Sequence, residues 1–282
     1  MKDKISIVLK GFVIGIANII PGVSGGTLAI TLGIYEDLLE SISHIFKNFK
    51  KSMKFLIPVG SGIVLSLLLF SNIISYSLDK FPFPTSLFFV GLIVGGLPLL
   101  VNKLKESEKK SGKSTVNFLI FIIALLLILG LKFISPGDTS VDLSNLSIVG
   151  YIMVFIVGII ASASMIIPGI SGSFVLMILG YYKPIIDAVS DLSGLNNLLN
   201  NMLILIPFGF GILLGIMLIT KIIEKLLKKF PTATYYGIVG FILSSVITII
   251  IDVVGYTISI PLLIIGVLLF ILGFIIALKL GD

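Results

Sequence analysis

Residues 19–43 read IIPGVSGGTLAITLGIYEDLLESIS, and residues 166–190 read IIPGISGSFVLMILGYYKPIIDAVS. At an offset of 147, ten of these 25 positions are identical. The register then continues at an offset of 149. Pro58, Gly60 and Gly62 align with Pro207, Gly209 and Gly211, Lys80-Phe81-Pro82 with Lys229-Phe230-Pro231, Thr85 with Thr234, and Gly91 with Gly240. Biased composition gives scattered matches but not an ordered series of Pro and Gly, so the chain reads as a duplication. Its repeats are residues 1–140 and 141–282, forming one integrated membrane domain.

Outside the motif, composition sets the class. Of 282 residues 57% are hydrophobic and 12% charged, with a mean hydropathy of +1.20, far from a soluble domain with about a quarter of its residues charged. Charge-free stretches run over Phe55–Leu78, Phe81–Val101, Ser114–Leu131, Leu143–Tyr182 and Val253–Leu278. Each reaches the ~18 residues that mark a membrane helix. The expected fold class is therefore all-α and polytopic. With no cysteine, thiolate metal sites and cysteine nucleophiles are excluded. All twenty basic residues are lysines, so no bidentate guanidinium clamp is available for a phosphate. Lys2 and Lys4 before an apolar run resemble a signal peptide, but that run leads into the repeated motif and is read as part of the fold.

Each half contains a Pro-Gly-broken pair of apolar segments followed by three ordinary spans. These are expected at about 55–78, 82–101 and 114–131, then at about 202–220, 232–251 and 257–278. In the first half Gly11–Ile20 gives ten residues and Gly22–Tyr35 fourteen. Fourteen helical residues cover about 21 Å, short of the ~30 Å hydrocarbon core, which predicts a re-entrant hairpin. In the second half residues 143–167 are long enough to cross. Three or five crossings per half is odd, so the second copy is expected upside down. Lysine placement agrees. With the N-terminus inside, segments 1–10, 46–54, 102–113, 221–229 and the C-terminus hold 17 of 20 lysines, and only Lys80, Lys132 and Lys183 fall outside. That is the positive-inside pattern, and it explains a net charge of +6 without nucleic acid. Both termini are thus expected in the cytoplasm.

The chemistry lies in the two breaks, Pro21-Gly22-Val23-Ser24-Gly25-Gly26-Thr27 and Pro168-Gly169-Ile170-Ser171-Gly172-Ser173. Proline removes a backbone donor and ends a helix, while glycine lets a ligand approach the main chain. A half-helix is expected to start after each break with Ser24 and Ser171 as N-caps. Its unpaired N–H groups and positive dipole end make an anion site without side-chain charge. Ser24, Thr27, Ser171 and Ser173 add hydroxyls. The plain alternative is that these residues serve kinks and helix packing, but two copies at equivalent positions favour two tips bracketing one anion at the midplane. Farther along lie Glu36 and its repeat partner Lys183. They are read either as interface anchors or as a proton-coupling or release group and a capture point. Asp37, Glu40 and His44 are read as solvated. No metal-ligand cluster, nucleotide-phosphate loop or Ser/His/Asp arrangement is found, and no cofactor is expected.

The stretch PGVSGGTLAITLGIYEDLL at 21–39, with PGISGSFVLMILGYY at 168–182, resembles the bacterial and archaeal polyprenyl-phosphate transporter (PopT) family over nearly the whole chain. The resemblance implies a translocase, not an enzyme, returning undecaprenyl phosphate, the carrier lipid of wall synthesis, to the cytoplasmic leaflet. The implied substrate site is Gly22, Ser24, Gly25, Gly26 and Thr27 with Gly169, Ser171, Gly172 and Ser173. Phe174 stands where the first copy has Thr27 and Ser173 where it has Gly26, so the tips need not contribute equally. A membrane undecaprenyl-pyrophosphate phosphatase is the enzymatic rival, but that family's chemistry is understood to need arginine and paired glutamates near the loops. Phosphoryl transfer without a cationic clamp is poorly stabilised. A secondary transporter of a small anion would use the same tips, and only a side opening toward the acyl chains separates it from a lipid carrier.

Overall fold

The computed structural model describes residues 4–18, 23–112, 114–133, 140–143, 146–193, 198–255 and 259–281. Among them are twelve helices and no strand: α1 (Lys4–Asn18), α2 (Gly25–Thr31), α3 (Tyr35–Ser43), α4 (Phe49–Lys80), α5 (Pro82–Ser111), α6 (Thr115–Lys132), α7 (Ile148–Ile166), α8 (Gly172–Ile178), α9 (Tyr182–Ser193), α10 (Leu198–Lys229), α11 (Pro231–Val254) and α12 (Ile260–Gly281). Seven of these, α4 to α7 and α10 to α12, are long and apolar enough to cross a bilayer. The chain is a multi-pass membrane protein. Leu263, Leu268 and Leu272 on α12 and Leu199, Leu213 and Leu226 on α10 face outward. Such apolar exposure needs a lipid solvent.

The helices start where local chemistry allows. Pro82 and Pro231 occupy the first turns of α5 and α11, where a missing N–H costs nothing. Ser114 Oγ accepts the Val116 N–H at 3.2 Å and Ser147 Oγ the Gly150 N–H at 3.3 Å, capping α6 and α7. The breaks differ from the expected single half-helix. Each second limb stops after seven residues, and a new helix begins after three intervening residues. Gly33 and Gly180 hold φ of +69° and +77° there, a left-handed backbone that side chains disfavour. The α8–α9 bend is 115°.

Equivalent helices make equivalent contacts. α1 packs along α4 and α7 along α10, while α5 packs along α12 and α6 along α11. A Cβ on Gly62 would lie 2.1 Å from the Val8 carbonyl oxygen, and one on Gly211 2.1 Å from that of Phe155. Likewise Gly91 abuts the Phe270 carbonyl and Gly240 the Phe121 carbonyl. Small residues let these backbones touch where lipid gives no hydrophobic drive between helices. The sixth helix of each half therefore lies on the fifth helix of the other.

The lysine-rich ends share one face. There Lys51 of α4 pairs with Glu40 at 2.9 Å, and one cleft gathers Glu36, Lys103 and Lys110 with Glu224, Lys228 and Tyr235. So α4 begins on the face where α10 ends, and α5 ends where α11 begins. On the opposite face Lys132 of α6 pairs with Asp252 of α11.

Candidate functional site

The two breaks meet. Thr27, fully buried on α2, accepts the Gly169 N–H on its Oγ1 at 2.7 Å. Ser24 donates to the Ile167 carbonyl at 3.4 Å, and the Tyr35 hydroxyl donates to the Ile166 carbonyl at 3.1 Å. Gly26 is glycine for a local reason, since a Cβ there would sit 2.6 Å from the Ile166 oxygen. The main chain that approaches the first motif is thus the second motif. Gly169 has φ +82°, which turns its N–H toward Thr27.

The expected cap geometry is corrected. Ser24 and Ser171 occupy the N-cap positions of α2 and α8 with extended backbones, but neither hydroxyl caps its helix. Ser24 is spent across the break, and Ser171 shares a hydrogen bond of 2.8 Å with Ser173. Gly25 approaches Asn18 and Gly172 approaches Met165 and Ala161 of the helix before it. Gly22, with residues 19–21, lies outside the described residues.

Two cavities adjoin the second break. A pocket of ≈ 90 Å³ is lined by Gly169, Ile170, Ser171 and Phe174 with Ile128, Lys132, Thr248 and Asp252. Lys132 Nζ also donates to the Thr248 carbonyl at 3.4 Å. On the other side of the break an open groove of ≈ 720 Å³ runs between α6, α10 and α11. Its walls are nearly all apolar, including Ile120, Ala124, Leu127, Ile219, Ile223 and Phe241, and it ends on Tyr35, Ile167 and Pro168. Its α6 wall, from Val116 to Leu127, covers about 17 Å. The next residues of α6 line the smaller pocket, so the two cavities follow each other along one helix with the break between them.

Glu36 is not on the half-helix but on α3, beyond the Gly33 turn. It is half-exposed, pairs with Lys103 of α5 and accepts the Tyr235 hydroxyl of α11 at 2.7 Å. Nearby Ser43 donates to Glu224 of α10, and Tyr236 to Glu108 at 2.6 Å. Lys183, well exposed, pairs with Asp187 at 2.5 Å. Sequence reading missed two lysines. Lys10 is buried and donates to the Leu32 carbonyl at 2.8 Å at the end of α2, and Lys132 lines the same pocket as Ser171. The offset of 149 would have drawn attention to Asp252, the repeat partner of Lys103.

A family model described as "VCA0040-like: Undecaprenyl phosphate translocase-like" matches residues 14–259. The chain belongs to this family. A relative from Staphylococcus aureus named polyprenyl-phosphate transporter is 37% identical over 279 residues, 97% of this chain and 95% of its own length. Another of the same name, from Vibrio cholerae, is 32% identical over 256 residues, 86% and 76% of the two chains. No solved structure matches. Family membership agrees with the resemblance carried by residues 21–39 and 168–182.

Proposed function

We propose that this chain carries a polyprenyl phosphate such as undecaprenyl phosphate between the leaflets of the cytoplasmic membrane, returning it for reuse in wall synthesis. One observation supports a lipid over a soluble anion. The ≈ 720 Å³ groove is open, apolar and ends at the second break. A free anion has no use for it, whereas an isoprenoid chain needs such a surface. The small pocket beyond the break, into whose lining Ser171, Thr248 and Lys132 bring polar groups, suits the phosphate, so head and tail would lie on either side of Pro168.

The phosphate site comprises Ser24, Gly25, Gly26 and Thr27 with Gly169, Ser171, Gly172 and Ser173, and Gly22 by extension of the motif. Its two parts differ in readiness. Ser171 and Ser173 bond each other across two residues of their own helix start, whereas Ser24 and Thr27 are engaged with the second break and become available when the breaks part. The halves 1–140 and 141–282 act as inverted repeats that alternate around this point, with the lysine-rich face and both termini in the cytoplasm. A phosphate monoester has a second pKa near ~6, and Glu36 would accept its proton during release, which requires Glu36 to leave Lys103. Lys183 would act as an outer capture point.

The test is transport of undecaprenyl phosphate between leaflets of proteoliposomes. Wild type moves the lipid, and Ser24→Ala/Ser171→Ala does not. Gly237→Leu also slows it, because a Cβ there meets only Ile120 at 3.5 Å and a longer side chain enters the groove. Wild-type vesicles that move inorganic phosphate but no lipid would overturn the reading.

A further inference from the structure

The contacts at the two ends of the molecule are unequal although the sequences are matched. α2 is buried along its length except at Gly25, and α3 packs on α10. Among the described residues of the second half only Gly172 of α8 is buried, and α9 packs on α8 and α10 but not comparably on α4. Tyr35 is 4% exposed and holds the Ile166 carbonyl, whereas its repeat partner Tyr182 is 37% exposed. The broken limb of the first half is thus seated against helices of the other half, whereas that of the second half, among the described residues, packs within its own half, through Ile185 and Ala188 of α9.

On the lysine-rich face the seated limb is fastened by Glu36 of α3 to Lys103 of α5. The repeat offsets, 147 at the break and 149 beyond it, place Lys183 opposite Glu36 and Asp252 opposite Lys103. Both signs are reversed, so the pair stays complementary while each member changes charge. A solvated face puts no such joint constraint on two residues of different helices. In the present structure the second pair is unmade. Lys183 holds Asp187 within its own helix, and Asp252 holds Lys132. Lys183, Asp187 and Asp252 are all more than half exposed, and exposed pairs are weak and readily exchanged.

We propose that Lys183 and Asp252 form the outer gate. When the second limb seats against α11, Lys183 leaves Asp187 for Asp252, and the Glu36–Lys103 fastening on the opposite face opens. Taking Asp252 also frees Lys132 beside Ser171, so closing the gate turns a paired lysine into a cation for the captured phosphate. The structure is then the state sealed at the lysine-rich face and accessible at the other. This inference rests on the alternation of opposed halves proposed above.

The chain has no cysteine, so the test is direct. In membranes containing the full-length protein, Lys183→Cys/Asp252→Cys is treated with a short bis-methanethiosulfonate. Lys132→Cys/Asp252→Cys is the control, since those residues touch in the present state. Cross-linking of both pairs is expected, with transport of undecaprenyl phosphate lost on linking the first pair and recovered on reduction. Cross-linking of the control alone would overturn the gate. A companion test reverses the charges. Lys183→Glu and Asp252→Lys each slow transport about two- to fivefold, the range of an exposed pair, and the double exchange restores it. Failure of the exchange to restore transport would assign Asp252 to Lys132 alone. If the first pair cross-links but wild type moves no polyprenyl phosphate, the gate stands and the substrate falls.

Discussion

Thr27→Val is the sharpest perturbation of the contact between the breaks. Valine keeps the shape of threonine and removes the one oxygen that accepts the Gly169 N–H at 2.7 Å. Thr27 is 0% exposed, so water does not replace the acceptor. An unpaired buried donor costs about 1–3 kcal/mol, and the cost falls only on the state in which the breaks are joined. Coupling energies of that size shift an equilibrium about 5- to 150-fold, here toward parted breaks. The absence of native cysteine makes this measurable with one reporter. Val23→Cys places a thiol at a position 5% exposed, and its maleimide labelling rate in membranes follows the parted fraction. The rate should rise about 5- to 150-fold in Thr27→Val and return toward the parent value in Thr27→Ser, which keeps the hydroxyl. Equal rates in all three proteins would show that the Thr27–Gly169 bond does not hold the breaks together.

Other outcomes follow from particular positions. Gly211→Ala forces a Cβ to within 2.1 Å of the Phe155 carbonyl; overpacking of this kind costs about 1–3 kcal/mol, and thermal denaturation in detergent should fall accordingly. Gly209→Ala is its control, because nothing lies within 4 Å of that Cβ and alanine favours a helix by about 1 kcal/mol; its denaturation temperature should hold or rise. Gly180→Ala strains a backbone at φ +77° by about 1–2 kcal/mol, and Gly180→Asn should be milder in the same assay because asparagine tolerates that region better. Glu36→Gln should flatten the pH profile of transport while leaving lipid binding intact; an unchanged profile would remove Glu36 from proton coupling.

Much of the fold was legible because a bilayer imposes so few solutions. The spans at 82–101 and 232–251 lie within α5 and α11, and Pro82 and Pro231 sit in first turns as their fixed φ suggests. The joints were harder to read. A fourteen-residue apolar run from Gly22 to Tyr35 looks like one limb, because hydropathy does not register the left-handed backbone at Gly33 that divides it. The motif could also be found without showing how its atoms are used. Ser24 and Thr27 were candidate donors for an anion, yet both hydroxyls face the backbone of the second break, a partner 142 and 143 residues away. Lys132 is unremarkable in sequence, one lysine at a helix end, and gains meaning only when α6 and α11 bring it beside Asp252 and Ser171.

The crossing of the sixth helices onto the opposite halves bears on how the protein is made. During synthesis α6 is complete at Lys132, but its partner α11 starts at Pro231, about a hundred residues later, or ~5–20 s at ordinary elongation rates. Until then the face of α6 around Ala124 and Ile128 must be solvated by lipid or by the insertion machinery. The first half cannot finish its own assembly, and neither half is a unit that a ribosome could deliver ready-built. Such an arrangement would arise naturally if two separate copies of a single half, inserted in opposite senses, once clasped each other as a dimer before their genes were joined.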